Sequence, residues 1–158
     1  MPTYVCSLKA GIQTIPVTGG SDYYLVRFPF GTESHDPEGM HEQVQPDGET
    51  AAYPDPRCGL IWPRHEAWAH LHALIYWQPG AYSEVRDRFV RDPLGLSTGY
   101  DSTCTEDREP SGGGQYLAKS WAMFVHPGTP IGLMVKHNSS SPVKLDLAEF
   151  KLSYTLDA

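Results

Sequence analysis

The sequence predicts an all-β chain, an antiparallel β-sandwich of jelly-roll type with a long acidic loop in its N-terminal half. Three observations lead there. Runs rich in aromatic and β-branched residues recur at intervals of roughly 10–20 residues, separated by Pro, Gly, Asn and Ser turns. Within those runs apolar residues alternate with period two, as on a pleated strand with one face buried. No segment shows a helical pattern without an equally good strand reading, and no internal repeat is present.

Residues 3–16 alternate weakly and are expected as an edge strand, followed by a turn at Thr18-Gly19-Gly20-Ser21. Asp22 to Phe30, with Tyr23, Tyr24, Val26, Phe28 and Phe30, is expected as the next strand. Residues 31–57 lose all periodicity and are dominated by Pro, Gly, Gln and acids. A stretch of that length is expected as a functional arm, an insertion or a mobile loop, with one short strand at Met40 to Val44. Cys58 to Pro63 reads as a short buried strand or a turn.

Glu66 to Trp77 fits two templates. As a strand it separates Ala67, Ala69, Leu71, Ala73, Ile75 and Trp77 from Trp68, His70, His72, Leu74 and Tyr76. As a helix it aligns Trp68, Leu71, His72 and Ile75. Its aromatic content and its surroundings favour the strand. Gln78 to Ala81 is a turn, and Tyr82 to Arg91 a further strand that Asp92-Pro93 ends. Tyr100 to Gly114, polar and glycine-rich, is expected as a loop.

Gln115–Val125 and Ile131–His137 carry apolar residues on both faces and are expected to form a hairpin turned by His126–Pro130. Two-sided apolarity calls for cover on both sides, from a second sheet or another subunit. The last strand, Val143 to Leu156, changes the parity of its apolar residues, which predicts a β-bulge near Leu147–Glu149.

At 158 residues the chain suits one domain, 1–158, with a self-sufficient core. Its net charge of −7 argues against a nucleic-acid partner. The acidity concentrates in the middle: Glu33 to Glu66 holds eight carboxylates against Arg57 and Arg64, and residues 33–57 form the acidic loop. No apolar run reaches the roughly 18 residues of a membrane span, and the first residues lack the apolar core of a signal peptide. Cytoplasmic synthesis without export is the expectation. Cys6, Cys58 and Cys104 are odd in number and widely spaced, which suits free thiols, with a Cys58–Cys104 bridge as the alternative.

Candidate chemistry is sparse. His70 and His72, two apart on a strand, point the same way and have the spacing of a shared metal site, with His126 or His137 as a third ligand. No carboxylate follows within five residues of His72, so packed histidines at a sheet face are the competing reading. His35, Asp36, Glu38 and His41 cluster in the acidic loop without any metal-site spacing. No nucleophile elbow, phosphate loop or zinc-protease motif occurs. Trp62, Trp68, Trp77, Trp121 and Tyr82 offer rings on which a sugar could stack, with Trp62, Trp77 and Tyr82 as the candidate binding residues. Core or interface packing is the other reading of the same rings.

The stretches ALIYW…AYSEVRDRFVRDPLG (from Ala73 to Gly95) and GGGQYLAKSWAMFVHPGTPIGLMVKHNSSSPVKLDLAEFKLSY resemble small virion proteins of tailed phages infecting actinobacteria, of the minor tail or decoration type. The likeness covers roughly residues 58–156 and rests on strands and turns, with no catalytic motif. The strand order and the closing AEFKLSY are also similar to C1q/TNF-like trimeric jelly rolls. The resemblance implies a non-enzymatic virion subunit without cofactor, made in the host cytoplasm. It would be homo-oligomeric, trimeric by analogy, and in contact with other virion proteins, with host-wall glycan as a further candidate partner. Two rivals from other classes are a cupin-like metal protein using His70, His72 and His126, and a carbohydrate-binding module.

Overall fold

A computed structural model describes residues 1–18 and 22–157. The expected turn at Thr18–Ser21 therefore lies largely outside the described residues. Among the described residues nine strands form: β1 (Thr3–Ala10), β2 (Gln13–Ile15), β3 (Tyr24–Leu25), β4 (Ala67–Trp77), β5 (Val85–Arg91), β6 (Asp101–Arg108), β7 (Gln115–Val125), β8 (Ile131–His137) and β9 (Val143–Thr155). A short 3-10 helix, Pro56–Gly59, is the one helical element among the described residues.

The strands build two antiparallel sheets. One runs β1-β9-β4-β7, with β2 also on β9; the other runs β3-β8-β5-β6. Successive strands mostly change sheet, the jelly-roll habit; β1 and β2 share the first sheet on β9, and β5 and β6 pair with each other in the second. The core lies between the layers. Leu71, Ile75, Trp77, Phe150 and Leu152 of the first sheet meet Val85, Phe89, Leu133 and Val135 of the second. Phe150 stacks on Phe89 at 5.9 Å between centroids and meets Phe28 at 6.2 Å. Each such side chain stabilises the fold by roughly 1.5–3 kcal/mol through removal from water.

The strand reading of residues 66–77 holds from Ala67 onward. The alternate residues Ala67, Ala69, Leu71, Ala73, Ile75 and Trp77 are buried, and β4 is flanked by partners on both edges. In β9, Tyr76 faces Leu147 while Trp77 faces Leu145, so Asp146 is the extra residue of a bulge. The bulge restores Leu145 and Ala148 to the same inner face, one residue earlier than the parity change alone indicated.

Four expectations are corrected. β7 and β8 are not a hairpin: β7 pairs with β4, β8 with β5 and β3, and residues 126–130 carry the chain from one sheet to the other. Pro127 and Pro130 donate no backbone hydrogen bond, so this connection suits a crossing between layers better than a tight two-residue turn. Residues 100–114 are not all loop. Asp101–Arg108 forms β6, an edge strand that pairs only with β5 and so carries polar residues without needing an apolar face. Within residues 22–30 only Tyr24–Leu25 pairs as a strand.

The acidic loop is the fourth correction. Residues 33–57 contain no strand at 40–44; they fold onto their own chain instead of extending as a mobile arm. Ser7 N donates to His35 O at 2.7 Å, and Trp62 N donates to Met40 O at 2.8 Å. The Asp36 carboxylate accepts from the backbone N–H groups of Met40 and His41 at 2.9 and 2.8 Å. Buried His41 places its two ring nitrogens 2.6 Å from Glu33 Oε1 and 2.7 Å from Cys58 O. Each ring nitrogen therefore faces an oxygen, which ties the loop to its own start and to the segment at Cys58. The three cysteines are free thiols.

Candidate functional site, an exposed aromatic sheet face

Alternation dictates what β4 and β7 show to the outside. Because Ala67 through Trp77 at odd positions are buried, the even positions of β4 face away from the core, and so do those of β7. The register places Trp68 beside Phe124, His70 beside Ala122, His72 beside Ser120, Leu74 beside Ala118 and Tyr76 beside Tyr116. Trp68 and Phe124 meet edge-on at 4.9 Å; Tyr76 and Tyr116 do so at 4.3 Å. Two aromatic pairs thus bracket a saddle whose β7 side is small, Ala118, Ser120 and Ala122, and whose β4 side carries His70, His72 and Leu74. Trp68 is 51% exposed, Phe124 55% and Tyr116 63%, far more than large apolar side chains on a solvated sheet need be. Beside the saddle, His72, Leu74, Ala118, Glu149 and Lys151 line a shallow hollow of about 370 Å³.

The opposite face of the molecule differs. Leu25, Val90 and Met134, on the outside of the second sheet, are buried beneath Leu60 and Trp62. Ile61 anchors that cover through paired backbone hydrogen bonds of 2.9 Å to Ile131. The two-sided apolarity of β8 is therefore met by the chain itself. That of β7 is not.

The sequence candidates distribute unevenly over this frame. His70 and His72 do share one face, both exposed, and His72 Nδ1 lies 3.0 Å from Ser120 Oγ. His126 lies just past the end of β7, four residues and roughly 13 Å beyond Ala122, where its Nδ1 is 3.6 Å from Glu66. The three histidines do not converge, and among the described residues no cluster of three His, Cys, Asp or Glu side chains forms a metal-binding set. Trp62 and Trp77 are 3% and 0% exposed, so neither offers a ring to a sugar. Tyr82 is half-buried, and its hydroxyl donates to Gln78 O at 2.6 Å. These three residues form no stacking platform; they pack.

The residues that sequence reasoning passed over are Phe124 and Tyr116. The signal was present: two bulky rings on a strand face otherwise made of Ala118, Ser120 and Ala122 have no core to fill.

No protein-family model matches the chain, and no curated protein matches it. Solved structures do. A TNF protein, Eiger, from S. frugiperda matches with a TM-score of 0.61 at 12% identity, over 100% of this chain and 96% of its own. Murine APRIL matches with a TM-score of 0.65 at 10% identity, over 98% and 100%. The globular domain of a zebrafish complement 1qA protein reaches 0.58 at 9% identity, over 98% of both chains. The fold is a TNF/C1q-like jelly roll. At these identities the likeness concerns the fold, and the function has to be argued from the surface.

Proposed function

We propose that the chain is a non-enzymatic structural subunit that assembles with copies of itself through the outer face of β4 and β7. The observation that carries this reading is the contrast between the two sheets. One covers its outer apolar residues with its own loop, while the other leaves Trp68, Phe124 and Tyr116 in water. Burying such rings against an equivalent surface removes a large apolar area from solvent, the main favourable term in stable association. A trimer is the arrangement that the resemblance to C1q/TNF-like jelly rolls implies, and the shared fold supports it. The finer assignment, to a minor tail or capsid decoration position in a phage virion, rests on the phage-like wording of residues 58–156.

Light scattering after gel filtration at micromolar concentration tests the assembly. The expected mass is that of three chains. Trp68→Ser combined with Phe124→Ser is expected to give a folded monomer, because both side chains lie outside the core. A monomeric native chain overturns the reading. The virion placement has its own test, peptide mass spectrometry of purified phage particles. Peptides of this chain at structural copy numbers are expected, and their absence from particles refutes the placement.

A further inference from the structure

Lys119 sits on the inner face of β7, where the alternation calls for an apolar residue. It reaches across the sandwich to Asp87 of β5, with Nζ 2.5 Å from Oδ1, and both side chains are only 2% exposed. Nζ also donates to Asp87 O at 3.2 Å and to Cys104 O, whose residue stands at φ 52 in the irregular part of β6. Two further groups complete the cluster. Glu106 Oε1 lies 3.6 Å from Nζ, and Arg108 Nε lies 3.9 Å from Asp87 Oδ2. That Arg108 Nε is buried and has no hydrogen-bond partner, while its Nη2 donates to Glu106 Oε2 at 2.5 Å. The Phe89 ring, 5.3 Å from Nζ, closes the apolar side.

We propose that Lys119 and Asp87 are joined by an intramolecular isopeptide bond, with Glu106 as the proton carrier and Arg108 as the group that steadies the developing oxyanion. A buried ammonium–carboxylate pair gives up much of its attraction to desolvation, whereas an amide in the same place carries no net charge. The reaction is a condensation. Glu106 takes a proton from the ammonium, and the freed amine attacks Asp87 Cγ. The tetrahedral oxyanion forms where Arg108 Nε has no other partner. Glu106 passes that proton to one Asp87 oxygen, then takes the second proton from the attacking nitrogen and delivers it to the same oxygen, and the C–O bond breaks as one water departs. Ammonium plus carboxylate become amide plus water, so charge and atoms balance and no oxidant is involved. Burial raises the Asp87 carboxyl above its ordinary range, although Lys119 and Arg108 oppose it, and a protonated carboxyl is the better electrophile. The bond would tie the edge strand of one sheet to the other sheet, on the side where β6 and β7 end their layers.

Mass spectrometry of the denatured full chain is decisive. A mass lower than that of the sequence by one water is expected, together with a branched proteolytic peptide joining the segments around Asp87 and Lys119. Lys119→Met is expected to show its full sequence mass. Because that variant gives up a buried cross-sheet contact, Glu106→Gln serves as the second test. Its residue is substantially exposed, so the fold is retained, and the unbridged mass is expected to predominate. Full mass in the folded native chain overturns the proposal. So does a missing water traced elsewhere with Asp87 and Lys119 in separate peptides. A bond that forms unchanged in Glu106→Gln overturns the role given to Glu106.

Discussion

Asp92 shows how much one side chain organises at the end of β5. Its backbone stands at φ 49, a left-handed conformation that costs most residues energy and that Asp and Asn tolerate better than others. Its carboxylate is fully buried and accepts from the N–H groups of Leu96, Ser97 and Gly99 at 2.7, 2.8 and 2.8 Å. Burial alone would raise the pKa of this group, but the three backbone donors outweigh it and hold the carboxyl below its usual range. A carboxyl lowered in the folded state stabilises above its unfolded pKa, and that stabilisation fades as pH falls through the folded value. Asp92→Ala is expected to cost about 3 kcal/mol at neutral pH, read by urea denaturation. Below about pH 4 the gap between the variant and the native chain should narrow. An equal gap at pH 3 and pH 7 would refute this account. Asp92 was legible in the sequence only as the residue before a proline, a stop signal. Its three acceptor bonds depend on where the next seven residues fold. Lys119 was more legible than that: a lysine at an inward position of an otherwise apolar face is a local contradiction, and such contradictions mark special chemistry more often than random placement.

Among the elements, the segment Cys58–Pro63 does the most with the least regular structure. The 3-10 turn Pro56–Gly59 delivers Leu60 and Trp62 to the outside of the second sheet, and Ile61 to its core side. Gly59 is required there, because a Cβ at that position would stand 2.3 Å from the carbonyl oxygen of Val26. Trp62→Ala is expected to cost about 3–5 kcal/mol, the usual penalty for emptying a large buried aromatic site, and to leave the oligomeric mass unchanged. Calorimetry with light scattering checks both parts. A stable variant with altered assembly would place Trp62 on the contact surface instead. Burial at Trp62 and Trp77 was foreseeable in kind, since a tryptophan in an apolar run suits a core. What the run cannot reveal is which sheet it covers. Strand β6 was illegible for a related reason. Edge strands answer to one neighbour only, so DSTCTEDR needs no alternation, and its ion pairs Arg91–Asp101 and Arg86–Asp107 form only once β5 lies alongside.

At the scale of the whole molecule, period-two patterning carried the two-layer architecture, because alternation fixes the face each residue takes. It did not carry the pairing. β7 and β8 both read as apolar strands near a turn, and the same pattern serves a hairpin within one sheet or a crossing between two. The outcome depends on long-range competition, here β7 against β4 along eleven registered pairs. The acidic loop escaped for the opposite reason: its order comes from isolated contacts to Ser7, Cys58 and Trp62, which leave no periodic trace.

The first and last strands lie side by side, with Thr3 opposite Thr155 and Leu156 N donating to Pro2 O at 3.4 Å. Chain entry and exit therefore share one rim of the sandwich. A linker of a few residues could join them into a ring without disturbing a single strand. By the same geometry the whole jelly roll could be spliced into a surface loop of another protein as a pendant module, held at one point like a bead on a doubled thread.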